Sequence, residues 1–188
     1  MLKLDRAKQI LEKHCTEPSL VKHAIAVSSA MGAMADYFQE DREYWEAIGY
    51  LHDVDYEQYP DEHLNHTREK LEPEGIDETD IRAILSHGWG IRNDIKPESN
   101  LEKSLYTVDE LTGIVMAAAR MRPTGISDLS VSSLKKKFKD KRFAAKCDRS
   151  LIQSGCDLLG LPLETVMELT IAGMREKAAE LELTGTGE

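Results

Sequence analysis

The stretch LVKHAIAVSSAMGAMADYF, residues 20–38, decides the fold. Leu20, Ala24, Val27, Met31, Met34 and Phe38 step by three or four, the period of one apolar stripe on a long α-helix. Thr16-Glu17-Pro18-Ser19 before it reads as a helix start, with Thr16 or Glu17 near the cap and Pro18 in the first turn. Upstream, Leu2, Leu4, Ala7, Ile10 and Leu11 predict a short amphipathic helix. Downstream, Tyr44, Trp45, Ile48 and Leu51 predict a third helix ending near His52-Asp53. A loop follows from Val54 to Pro60, then a short helix from His63 to Leu71, stopped by Pro73 and Gly75. Another helix begins at Asp77 and ends at Gly88 and Gly90, and a longer one covers Leu101 to Ala119. Asp128 to about Leu183 predicts two or three more, and Thr184 to Glu188 a frayed tail. No strand alternation, fixed-period repeat or Gly-rich phosphate loop interrupts the pattern. The chain reads as all-α.

Composition narrows the function. The 188 residues suit about one domain, with residues 1–125 carrying the site and 126–188 a helical extension packed on it. Twenty-four Lys and Arg against 34 Asp and Glu leave a formal charge of −10, which repels a nucleic-acid duplex. No apolar run approaches the roughly 18 residues that cross a bilayer, so no membrane partner is expected. The N-terminal MLKLDRAKQILEKH lacks the apolar core of a signal peptide. Cys15, Cys147 and Cys156 lack CxxC spacing and read as reduced thiols. The expected location is the cytoplasm.

Chemistry enters where polar residues interrupt the apolar stripes. His23 lies on the stripe of Leu20 and Val27. His52-Asp53 follows Ile48 and Leu51 directly, and Asp109 lies among Leu105, Val108, Thr112, Val115 and Met116. A charged or imidazole group facing inward costs several kcal/mol unless partnered. Two imidazoles and two carboxylates from three helices suit a divalent cation with mixed nitrogen and oxygen ligands: Mn, Fe, Co, Ni, Zn or Mg.

With VKHAIAV around His23, YLHDVDYEQYPDEH around His52-Asp53, AILSHGWG around His87 and YTVDELTG around Asp109, the chain resembles the HD-domain superfamily of metal-dependent phosphohydrolases. The resemblance covers roughly residues 18 to 120. It implies a helical bundle of about eight to ten helices, with His23, His52, Asp53 and Asp109 as metal ligands. It also implies hydrolysis of a small phosphate ester, a nucleotide among the options, by a metal-activated water, with Asp53 central to catalysis. Some members hold a second metal on further histidines. Here His87 is the first candidate for that metal or a phosphate contact, then His66, then His63. The alternative is a regulatory module that binds metal and a small ligand without turnover.

The best-studied two-metal subgroup has Gly-Lys after the HD pair, where this chain has Val54, Asp55, Tyr56 and Glu57. Protonation of the leaving group would then fall to Asp55 or Glu57, since nearby phosphate raises a carboxyl pKa. Asp53-x-Asp55-x-Glu57 starts like a calcium loop, but Gln58 and Leu64 stand where glycine and the bidentate glutamate belong. The basic run from Lys135 to Arg142 makes Lys135 and Lys136 candidate contacts to an anionic substrate, set against the plainer reading of a solvated helix face. Met167, Ile171, Met174 and Ala178 form a stripe suited to core packing or to a homo-oligomer contact.

Overall fold

The computed structural model describes residues 1–186, which are α-helical nearly throughout. The helices are α1 (Leu4–Leu11), α2 (Pro18–Phe38), α3 (Arg42–Leu51), α4 (Thr67–Leu71), α5 (Glu78–Leu85), α6 (Asn100–Arg120), α7 (Val131–Lys139), α8 (Arg149–Leu159) and α9 (Leu163–Glu176). Single 3₁₀ turns at Pro60–Glu62, Glu72–Glu74 and Ser86–Gly88 join the middle elements. Among the described residues there is no strand, and no helix is long and apolar enough to cross a membrane.

The two 21-residue helices, α2 and α6, form the frame, each about 30 Å long. Glu17 caps α2 by accepting from the Ser19 amide, with Pro18 in the first turn. Gln39 ends it in the left-handed region at φ 59°. A capping box of Ser99 and Glu102 starts α6, satisfying two amide donors reciprocally. Every residue of α2 from Ala26 to Ala35 is buried. Most are small, and that lets neighbouring helices approach from two sides. On one side Gly49 of α3 sits so close that a Cβ there would lie 3.1 Å from the Ser28 Cα. On the other, a Cβ at Gly173 of α9 would lie 2.1 Å from the Ser29 carbonyl oxygen. α8 lies against α6 at Gly155, where a Cβ would meet the Thr107 hydroxyl. One buried apolar cluster therefore includes residues before and after position 125.

Two local expectations change. The helix expected from His63 starts only at Thr67. Pro60–Glu62 forms a 3₁₀ turn, Leu64 takes φ 73°, and the His66 amide donates to the buried Asp55 carboxylate instead of a helical carbonyl. The expected frayed tail is tied down through Thr186. The Ile126 amide donates to the Leu183 carbonyl at 2.8 Å and the Thr186 amide to the Pro123 carbonyl at 2.9 Å. Residues 187 and 188 of that expectation lie outside the described residues.

Candidate metal centre

Three helices deliver the first donor set. His23 projects from the second turn of α2, His52 caps the C-terminus of α3, and Asp109 comes from the middle of α6. The His23 Nε2 lies 3.1 Å from the His52 Nε2 and 2.9 Å from the Asp109 Oδ1. His52 is fully buried, and its Nδ1 lies 2.8 Å from the Gly49 carbonyl three residues back. That bond sets the ring, leaving Nε2 to face the centre. Asp53 follows at once and turns its Oδ2 toward the same point, 3.4 Å from His52 and 3.6 Å from His23.

The other oxygen of Asp53 faces a second set. Its Oδ1 lies 3.2 Å from the His63 Nε2 and 3.7 Å from the His87 Nε2, which are 3.2 Å apart. His87 rides on the 3₁₀ turn after α5, with Nδ1 bonded to the Ile84 carbonyl at 2.6 Å. His63 has Nδ1 against the Asp55 Oδ1 at 2.8 Å. Asp55 is completely buried, and its second oxygen accepts from the His66 amide and the Thr67 hydroxyl.

This donor set demands positive charge. Burial acts to lower the His52 pKa, yet Asp53 and Asp109 outweigh it and hold the imidazole well above its ordinary value. Burial likewise opposes His63, but Asp53 and Asp55 raise it to about 9. His87, buried and beside His52, is pushed down to about 4. Asp53 and Asp109 titrate well below the carboxylate range: burial works against this, and the imidazoles overcome it. Two groups of three donors, His23, His52 and Asp109, and Asp53, His63 and His87, each gather within 4.8 Å. Imidazole and carboxylate together fit a divalent cation, which replaces the protons that otherwise hold these lone pairs apart.

Above the donors opens a cavity of about 490 Å³. Its walls include Tyr56, an aromatic available from the sequence, and add residues that the sequence did not single out, chiefly Arg92, Glu110 and Lys146. Only Glu110 carried a signal, its place directly after Asp109 in α6. Burial, reinforced by the charge of Asp109, pushes its carboxyl up to about 7. Burial also pushes the Cys147 thiol on the same wall up to about 11, so it stays protonated.

Five candidates sit elsewhere or do something else. His66 spends both ring nitrogens on Glu62 and Glu69, and stacks on Tyr59 at 3.8 Å. Asp55 is fully buried, bonded to His63, and does not line the cavity. Glu57 accepts from the Thr16 and Glu17 amides at 2.7 and 2.9 Å, so it serves the start of α2. Lys135 and Lys136 line a separate groove with Lys139, where Lys135 pairs with Glu164. An all-α frame that turns histidine and aspartate inward onto one cavity defines the class.

The HD domain family model matches residues 20–114, about half of the chain, and that span contains every donor of both sets. The chain belongs to the HD domain family, whose members are generally metal-dependent phosphohydrolases. No curated protein and no solved structure matches the chain.

Proposed function

We propose that the chain is a metal-dependent phosphohydrolase that cleaves the phosphate ester of a small molecule at two metal sites joined by Asp53. The observation that carries this reading is the split allegiance of Asp53, one oxygen toward His23 and His52 and the other toward His63 and His87. His23, His52 and Asp109 would hold one ion, His63 and His87 the other, with Asp53 between them. Divalent ions there supply charge against the phosphate oxygens and make water a better nucleophile at neutral pH.

The protein's own part is orientation and proton transfer. The Gly49 and Ile84 carbonyls and the Asp55 carboxylate fix three imidazoles with Nε2 aimed inward. Glu110 is the only acidic side chain of the cavity wall outside the donor sets, among the described residues. It gives its proton to the ester oxygen as the P–O bond breaks and regains one from solvent.

The test is metal-dependent release of phosphate from a panel of sugar phosphates, acyl-chain phosphates and nucleotides, with Asp53→Ala as control. Phosphate release that is abolished by chelator and by Asp53→Ala, with circular dichroism unchanged, supports the hydrolase. Bound metal with no turnover on any panel member makes the chain a binding module instead.

A further inference from the structure

We propose that the cavity takes a phosphate ester bearing a second anionic group on a short carbon skeleton, gripped by Arg92 and Lys146. The inference rests on the hydrolase reading and narrows its substrate. Arg92 and Lys146 share a cavity wall with Asp53, Asp109 and Glu110, yet among the described residues neither forms an ion pair. Both are exposed, and each leaves charge-assisted donors open at the cavity wall, where an anionic ligand can take them up.

Arg92 and the loop that carries Lys146 are also held in place, by different parts of the chain. Arg92 follows Gly88 on the His87 side, its amide bonded to the Gly88 carbonyl at 2.8 Å. Its guanidinium reaches the Asp61 carbonyl at 3.2 Å, which leaves further N–H groups open. Lys146 lies on the Asp109 side. The next residue, Cys147, packs against Gly113, one turn beyond Asp109, and the Asp148 amide donates to Glu110 at 3.0 Å. Arg149 donates to the Ala144 and Cys147 carbonyls, both at 2.7 Å, and so fixes the loop that carries Lys146. A loop anchored this way spends little entropy in binding.

The rest of the wall fits a compact aliphatic acid phosphate better than a nucleotide. Leu20, Leu151 and the largely exposed Ile91 supply apolar contact for a carbon skeleton. Among the described residues, the two tyrosines of the wall are already engaged by protein neighbours. Tyr56 stands edge-on to His63, at an interplanar angle of 77°, and Tyr106 is buried against Trp89. With two divalent ions on the donors, the positive charge exceeds that of the ionised Asp53 and Asp109, so a substrate with charge beyond its scissile phosphate is the one favoured.

The experiment compares glycerol phosphate with phosphoglycerate, a pair that differs by one carboxylate, and adds a nucleoside monophosphate. Turnover is measured on the metal-loaded wild type, Arg92→Gln and Lys146→Gln. Calorimetric titration with phosphoglycerate and with inorganic phosphate reads binding independently. The wild type is expected to favour phosphoglycerate over both competitors by about tenfold or more in kcat/KM and over inorganic phosphate by a similar factor in Kd. Each variant should collapse that preference, chiefly through KM. Turnover without the preference, or with the nucleotide preferred, overturns this inference and leaves the hydrolase reading standing. Selective binding through both cations with no turnover does the reverse, and neither binding nor turnover ends both.

Discussion

The two donor sets are built differently. The first comes from helices: His23 within α2, His52 at the end of α3 and Asp109 within α6, all framed by buried apolar stripes. The second hangs on connections. His63 follows a 3₁₀ turn, His87 sits in another, and the Nδ1 of each is held by one hydrogen bond, to Asp55 and to the Ile84 carbonyl. Helix packing fixes the first set at the cost of the whole core. A few polar contacts fix the second, so it can be loosened without unfolding the protein. The difference implies that the two proposed metal sites are separable, with Asp53 the one side chain that faces both.

Removing that common residue gives the largest effect. Asp53→Ala is expected to lower kcat/KM by roughly a thousandfold, the several kcal/mol expected when ion-borne charge stabilisation is lost. Elemental analysis should find both ions depleted, while thermal unfolding stays cooperative. Retention of near-normal activity would remove Asp53 from the bridge. Glu110→Gln comes next. It leaves both donor sets intact, so metal content should not change. Turnover of alkyl phosphates should fall about a hundredfold, and that of nitrophenyl phosphate, whose leaving group needs no proton, should barely move. An equal loss on both esters means that Glu110 gives no proton to the leaving oxygen.

Asp55 tests the comparison most directly. Asp55→Ala takes the acceptor from the His63 Nδ1 and leaves the His66 amide and the Thr67 hydroxyl without a partner. Affinity at the second site should drop roughly ten- to a hundredfold, and the first should hold its ion. Asp55→Asn keeps an oxygen for His63 and is expected to recover much of the lost affinity. If both ions leave together, the sets are not separable.

What could be read from the sequence follows the same division. Six residues of one stripe in residues 20–38 predicted α2, and the periodicity around Leu105 and Val115 predicted α6 to within a residue at each end. His23, His52, Asp53 and Asp109 stood out because each breaks an apolar stripe, so an inward-facing position could be inferred from the pattern, and of the four only His52 is fully buried. His63 and His87 lie where no period applies; His87 keeps the first rank it was given, and His63 rather than His66 joins it. Asp55 and Glu57 looked like acids free to work because they followed the HD pair. Their hydrogen bonds to residues 8 to 41 positions away in the chain engage both carboxylates with the protein. Arg92 and Lys146 are ordinary surface cations in the sequence, and only tertiary placement brings them to one cavity.

The smallest expected effect belongs to the residues that composition made most conspicuous. Lys135 and Lys136 dominate the basic run, yet they line a groove with Glu164 that holds none of the donors. Exposed pairs such as Lys135–Glu164 contribute about 0–1 kcal/mol, so Lys135→Ala with Lys136→Ala should shift the melting temperature by no more than a few degrees. Their charge still reaches an anionic substrate through solvent, an influence that salt screens beyond about 10 Å at 0.1 M ionic strength. The double variant should therefore show a modest fall in kcat/KM at low salt that vanishes near physiological ionic strength. A loss that persists at high salt would put these lysines in contact with the substrate and return them to the site.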